Sequence, residues 1–207
     1  MGDSFDAGLI NGPKGRGTLV ELTSESLELT FAWESKPPPA DNLTLLLGLP
    51  RPQTARDILR DATTLGVAAL HFVHTGRSEA SYADSTLWRG DDWRKQLLIG
   101  AAQAFDTQIP AVTSNLTLSA VLDALPTGGI RLALDNYEAP VSMTEVRFPR
   151  ETGVTLAFGP ERGWSGDDRT LLRGHNFNFV HLGTRVLRLE TAVTAALTLV
   201  KSARGSL

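Results

Sequence analysis

Residues 18–22 and 27–31 alternate apolar and polar side chains around the polar turn Thr23-Ser24-Glu25-Ser26, which predicts a half-buried antiparallel ribbon of two short strands. Lys36-Pro37-Pro38-Pro39 follows. Successive prolines fix φ and lack the amide donor a sheet needs, so the run predicts an extended spacer, and a domain boundary is expected there. From Leu43 the pattern becomes strand then helix. Residues 43–48 form a continuous apolar run suited to a buried parallel strand, and 52–65 a helix that Gly66 ends. Further strands are predicted at 67–73 and 110–112. Helices are predicted over 88–105, with Trp93, Leu97 and Ala101 on one stripe, and over 116–125 behind Ser114 and Asn115 as caps.

The last third alternates most plainly. Strands are expected at 130–134, 154–158 and 179–182, the last two leading through glycine-bearing loops into helices. Ser165 with Asp168 three residues on forms a capping box for a helix over 167–173, closed by Gly174. Leu189, Val193, Leu197 and Val200 mark the apolar stripe of a final helix. Such alternation predicts an α/β fold, a mainly parallel sheet with helices on both faces.

Composition narrows the chemistry. The 207 residues are 42% hydrophobic and 21% charged, enough to bury a full core, and no internal repeat or low-complexity tract is present. The absence of cysteine excludes thiolate zinc sites, iron–sulfur clusters, cysteine nucleophiles and disulfides. No stretch has the roughly 18 apolar residues of a membrane span, and the first residues lack the signal-peptide pattern, so no membrane partner and a cytoplasmic location are expected. The net charge of −3 is unevenly spread. Residues 1–50 hold 3 Lys and Arg against 7 Asp and Glu, whereas 145–207 hold 9 against 6, a locally basic end suited to a polyanion.

In open parallel sheets ligands bind beyond the carboxyl ends of the strands. The loops Gly159-Pro160-Glu161-Arg162-Gly163-Trp164 and Gly183-Thr184-Arg185-Val186-Leu187-Arg188 both fall at that edge. Either could be a simple tight turn. Together, with Glu161, Arg185, Arg188 and Glu190 crowded nearby, they predict a site in which main-chain groups meet a ligand.

The run Phe158-Gly159-Pro160-Glu161-Arg162-Gly163-Trp164 resembles a GPEGGF signature, and Leu182-Gly183-Thr184-Arg185-Val186-Leu187-Arg188-Leu189-Glu190-Thr191-Ala192 resembles LGPRILRxETA. Both belong to the RsmE family of ribosomal RNA methyltransferases, in the SPOUT class. Leu46-Leu47-Gly48-Leu49-Pro50-Arg51-Pro52, Leu65-Gly66-Val67, Arg77-Ser78 and the stretch 103–110 extend the resemblance over 43–203.

The resemblance implies a SPOUT-type trefoil-knotted sheet over 41–207 and a small, incomplete PUA-like β segment over 1–40, about half of the usual barrel. It implies a homodimer that binds S-adenosylmethionine and methylates N3 of a uridine in 16S ribosomal RNA, with the RNA or the small ribosomal subunit as partner. Carried over residue by residue, the cofactor site would comprise Leu134, Gly159, Pro160, Glu161, Gly163, Leu182, Gly183, Val186, Leu187 and Arg188. Arg188 would stabilise the uridine anion, and Glu190 would orient Arg188 or take the proton. Arg51, Arg56, Arg77, Arg162 and Arg185 are the expected RNA contacts. Arg162 stands where the family has Gly and is expected to narrow the second loop or meet phosphate; Thr184 replaces Pro. Ala102 and Asp106 stand in place of Glu and Arg. The alternative is a catalytically impaired RNA- or ribosome-binding module on the same scaffold.

Other features carry less. His71 and His74, three apart on a strand, point to opposite faces, and no metal site is read. Residues 12–18 have glycines and a lysine but not the order of a phosphate loop, and a mobile turn is expected there. Arg51, Arg56 and Arg60 either meet phosphate or pair with Asp57 and Asp61. Trp88 and Trp93 are expected in packing.

Overall fold

The structure is a computed structural model that describes residues 2–34, 37 and 40–207. Among the described residues ten strands form two sheets, accompanied by six α-helices and two short 3-10 helices. The first is antiparallel: β1 (Ser4–Gly8), β2 (Lys14–Leu22) and β3 (Leu27–Trp33), in the order β1-β2-β3. The second is parallel throughout, in the order β6-β5-β4-β9-β7-β10-β8. Its strands are β4 (Asp41–Gly48), β5 (Val67–His74), β6 (Ala111–Thr117), β7 (Ile130–Leu134), β8 (Val141–Ser142), β9 (Val154–Phe158) and β10 (Asn178–His181). The helices are α1 (Pro52–Thr64), α2 (Thr86–Arg89), α3 (Asp92–Gln103), α4 (Leu118–Ala124), α5 (Gly166–Gly174) and α6 (Leu189–Arg204).

The central strand β4 explains the layering. Leu43, Leu45 and Leu47 bury one face with Ile58 and Leu59 of α1 and Val193 and Leu197 of α6, while Leu46 buries the other with Leu118 and Val121 of α4 and Leu172 of α5. A strand covered on both faces reads as an unbroken apolar run, which makes it legible without periodicity. The four stripe residues of α6 are all buried, and Lys201 of that helix pairs with Asp41 at the start of β4. Gly66, at φ +73°, ends the α1 turn in the left-handed region a side chain avoids.

Several expectations need correction. The N-terminal ribbon has a third strand, β1, and its residues are mostly exposed instead of half-buried; it docks by its 9–13 turn, where Asn11 donates to the Thr107 carbonyl and Thr107 Oγ1 to that of Gly12. Residues 14–18 lie in β2, so they are paired strand and not a mobile turn. The predicted helix over 88–105 is two, because Gly90 is extended (φ −112°, ψ −162°) and Asp91 restarts the chain as α3. Strand β6 runs on to Thr117, whose side chain accepts from the Ala120 amide and caps α4; Asn115, at φ +65°, is a kink within the strand and no cap. The capping box of Ser165 and Asp168 is present, but α5 closes on Asn176 (φ +62°) instead of Gly174. The proline spacer at 36–39 lies, apart from Pro37, outside the described residues. No helix is long and apolar enough to cross a membrane among the described residues.

Candidate active site

Strands β9, β7 and β10 are consecutive in the sheet, so the loops that follow them meet at one edge. They enclose a cleft of about 220 Å³. One wall is the 134–137 loop after β7, the second is 159–164 after β9, and the third is 182–187 after β10; Phe158 and Val180 form the floor.

The second loop is tightly folded. A Cβ on Gly159 would lie 2.7 Å from the Gly163 carbonyl carbon and 2.9 Å from the Trp164 nitrogen, so the loop closes on itself only because position 159 has no side chain. Neighbouring strand ends clamp it from outside. Glu161 Oε1 accepts from the Arg51 amide at 3.0 Å, and Arg77 Nη1 donates to the Arg162 carbonyl at 2.9 Å. Buried Trp164 donates from Nε1 to the Leu134 carbonyl at 3.1 Å, joining the second loop to the first.

Of the predicted cofactor residues, Leu134, Gly159, Pro160, Glu161, Gly163, Leu182, Val186 and Leu187 line the cleft, while Gly183 and Arg188 stand outside its lining. Arg188 is the exposed N-cap of α6 and Glu190 lies in its first turn, one residue beyond lining residues Leu187 and Leu189 respectively. The two are therefore beside the cleft and not within it.

The expected RNA-binding arginines divide. Arg51, Arg162 and Arg185 are exposed, Arg162 at the cleft rim. Arg56 is half-buried with Asp92 at 3.9 Å, and Arg77 is engaged by the Arg162 carbonyl. Arg60 pairs with Asp57 and Asp61.

The spacing pattern missed Asp135, Tyr137, Arg169 and His181, all of which line the cleft. Asp135 and Arg169 form a buried ion pair at 2.6 Å, and that bond holds the guanidinium above its already high ordinary pKa. His181 Nδ1 accepts from the Gly183 amide at 3.1 Å, which leaves the proton of the neutral ring on Nε2. Their partners are 34 and 2 residues away in sequence, and only the first is beyond any local signal.

His71 and His74 make separate contacts, with Thr113 and Asn115, and burial pushes the His71 imidazole below its ordinary value. Trp88 packs on Phe72 with ring centroids 4.8 Å apart. No group of three potential metal-binding side chains occurs among the described residues.

The cleft suits a folded, partly apolar ligand. A Cβ built at Gly163 (φ +69°) or Gly183 (φ +112°) meets nothing within 4 Å, so the space beside both turns is open, while their amides are already donated, to the Pro160 carbonyl and to His181 Nδ1. Val186 at the rim is 77% exposed and Tyr137 79%, two large side chains without cover. A flat ring and a flexible chain fit such surfaces, apolar contact beside turns that leave open space.

A family model described as an RNA methyltransferase domain matches residues 36–201. The ribosomal RNA small subunit methyltransferase E of Treponema pallidum is 32% identical over 205 residues, covering 96% of this chain and 77% of that protein. A protein of the same name numbered 1 from Borreliella burgdorferi is 26% identical, over 74% of this chain and 64% of its own length. Among solved structures, the small subunit methyltransferase E of Neisseria gonorrhoeae bound to S-adenosyl methionine superposes with a TM-score of 0.85 at 21% identity, covering 98% of this chain and 84% of that one. The SpoU methyltransferase AviRb of Streptomyces viridochromogenes, at 0.57 and 19%, shares the fold over 88% of this chain and 70% of its own. The chain belongs to the RNA methyltransferase domain family, among the ribosomal RNA small subunit methyltransferases E.

Proposed function

We propose that the protein transfers a methyl group from S-adenosylmethionine to N3 of a uridine in 16S ribosomal RNA. The observation that carries this is the convergence of three loops, from neighbouring parallel strands, on one cleft with uncovered apolar side chains at its rim. When bound, the cofactor supplies an electrophilic methyl group on sulfur. Leu134, Phe158, Leu182, Val186 and Leu187 provide the apolar surface for its adenine, and Gly159, Pro160 and Gly163 bring main chain close enough for polar contact. Holding donor and acceptor in line and excluding water supplies most of the acceleration of a displacement of this kind.

Uridine N3 carries a proton that must leave before the nitrogen can attack. Arg188 at the start of α6 provides the positive charge that stabilises the uridine anion, and Glu190, in the same turn, accepts the proton or holds Arg188 toward the substrate. Arg51, Arg162 and Arg185 are exposed cations around the same edge and bind RNA phosphate. Arg56 and Arg77 contribute less, since each already has a partner.

In this reading residues 1–40 are a PUA-like β segment and 41–207 the methyltransferase domain, which pairs with a second copy to form a homodimer. The insertion of β10 between β7 and β8, both earlier in the chain, supports a threaded trefoil knot.

A titration tests the assignment. S-adenosylmethionine should raise the melting temperature, and small-subunit RNA lacking the modification should accept labelled methyl. Tight RNA binding with no effect of the cofactor would instead establish a binding module on this scaffold.

A further inference from the structure

An ion-pair cluster in the wall of the cleft is given no role in the function just described. Asp135 Oδ2 accepts from Arg169 Nε at 2.6 Å, while Oδ1 accepts from the amides of Tyr137 at 2.6 Å and Glu138 at 3.1 Å. Arg169 Nε also lies 3.5 Å from Glu138 Oε1, and Arg173 Nη2 donates to Glu138 Oε2 at 2.5 Å. The inner pair is desolvated, with side-chain exposures of 2% for Asp135 and 8% for Arg169; the outer pair is wet, at 43% for Glu138 and 49% for Arg173.

A buried ion pair is a poor way to gain stability, because desolvation cancels much of the attraction and apolar packing would do as well. What it provides here is geometry. One carboxylate ties the turn after β7 both to itself and to α5, the helix that starts where the 159–164 loop ends. Those two loops are neighbouring walls of the cleft, and both Asp135 and Arg169 lie in its lining. The planar guanidinium, held through Nε, fixes direction as well as charge, which a lysine would not do.

The geometry points to Asp135 and Arg169 as positioning residues that hold the 135–138 turn against α5 and thereby set the donor pocket, an assignment that rests on the cleft being the S-adenosylmethionine site. They act through the turn and not on the reacting atoms. Their loss therefore weakens donor binding, and leaves both turnover at saturating donor and the KM for RNA alone.

The test compares the full chain with Asp135→Asn, Arg169→Gln, Arg169→Lys and Arg173→Gln. Asp135→Asn keeps the volume and the Oδ1 acceptor for the turn amides but removes the charge facing Arg169. Two readouts are taken: the calorimetric Kd for S-adenosylmethionine, with the kinetic split between KM and kcat, and amide exchange at Tyr137 and Glu138 without ligand. Asp135→Asn and Arg169→Gln should each raise the donor Kd and KM by roughly tenfold or more, with kcat within about twofold, as expected for a charge-assisted bond that shapes a binding surface. Exchange at Tyr137 and Glu138 should quicken while the β4 amides stay protected. Arg169→Lys should recover part of the affinity, and the solvent-screened Arg173→Gln should change it by less than about twofold.

An unchanged Kd in both inner variants overturns the assignment, as does a fall in kcat with Kd intact or a loss of β4 protection equal to that of the turn. If the wild-type chain binds no S-adenosylmethionine, the function assigned to the cleft fails, and the exchange comparison still decides whether the pair fixes the turn.

Discussion

The carboxylate of Glu161 accepts a hydrogen bond from the main-chain amide of Arg51, 110 residues away, at 3.0 Å. It fastens the loop after β9 to the segment that follows the neighbouring β4, so a side chain of the 159–164 loop serves as a strut between them. Glu161→Ala should weaken S-adenosylmethionine binding by roughly tenfold, the scale of one charge-assisted hydrogen bond. Because the bond is exposed, unfolding free energy should fall by less than about 1 kcal/mol. Calorimetry and urea titration measure the two effects separately, and Glu161→Gln, which keeps the acceptor, should fall between wild type and alanine.

Gly48 offers a sharper test, since it lies outside the cleft lining. A Cβ there would sit 2.4 Å from Pro160 Cδ and 2.7 Å from Pro160 N, and neither atom belongs to a flexible side chain. Gly48→Ala must push the 159–164 loop inward or break its tie to β4. Donor affinity should drop more than tenfold at a stability loss of about 1–3 kcal/mol, the range for overpacking. Retained affinity would mean that the loop shifts freely and that its closed form is not needed.

Two histidines give opposite pH signatures. His175 is pushed above its ordinary value, first by the Leu171 carbonyl and then by Asp123. The folded chain holds that proton more tightly than the unfolded one, so its stabilisation is complete below the unfolded value and disappears as pH rises through the folded value. Burial pushes His71 down, so the unfolded chain takes up a proton that the folded one refuses, and stability falls as pH drops below the unfolded value. Denaturant unfolding between about pH 5 and pH 8 should show the His175→Gln deficit growing toward acid, and His71→Asn flattening the acid loss.

RNA affinity should depend on salt through the exposed arginines. Replacing Arg162 or Arg185 with alanine should lower affinity across sequences and reduce the slope of log affinity against log salt by roughly 0.7–0.9 for each phosphate the side chain neutralises. Arg56→Ala, already paired with Asp92, should leave the slope unchanged. Filter binding at several salt concentrations measures both.

The parts of this molecule legible in its sequence are those whose burial is complete or whose local chemistry is decisive. Strand β4 can be read because both faces are covered, and α5 because Ser165 and Asp168 cap it within four residues. Strand β1, Ser4–Gly8, escapes because its residues are exposed and only pairing with β2 makes them a strand. The break at Gly90 falls outside the stripe of Trp93, Leu97 and Ala101, which lies wholly within α3 and so carries no sign of where the preceding turn, α2, ends. In the site, the loop glycines and apolar residues fall within contiguous motifs. Asp135 and Arg169 do not: one lies in the turn just past β7, the other sits on a helix, and only the parallel sheet brings them together. Arg188 and Glu190, by contrast, belong to a motif but stand beside the cleft and outside its lining.

The most direct test of the whole account is nucleoside mass spectrometry of 16S ribosomal RNA, isolated from cells lacking the gene and then incubated as small subunits with the purified protein and S-adenosylmethionine. 3-Methyluridine should be absent beforehand, appear at one site with the wild-type chain, and fail to appear with Arg188→Ala or Glu190→Ala, both still folded. Unmethylated uridine after incubation with wild-type protein that binds the cofactor, or a methyl group on a different atom, would contradict it.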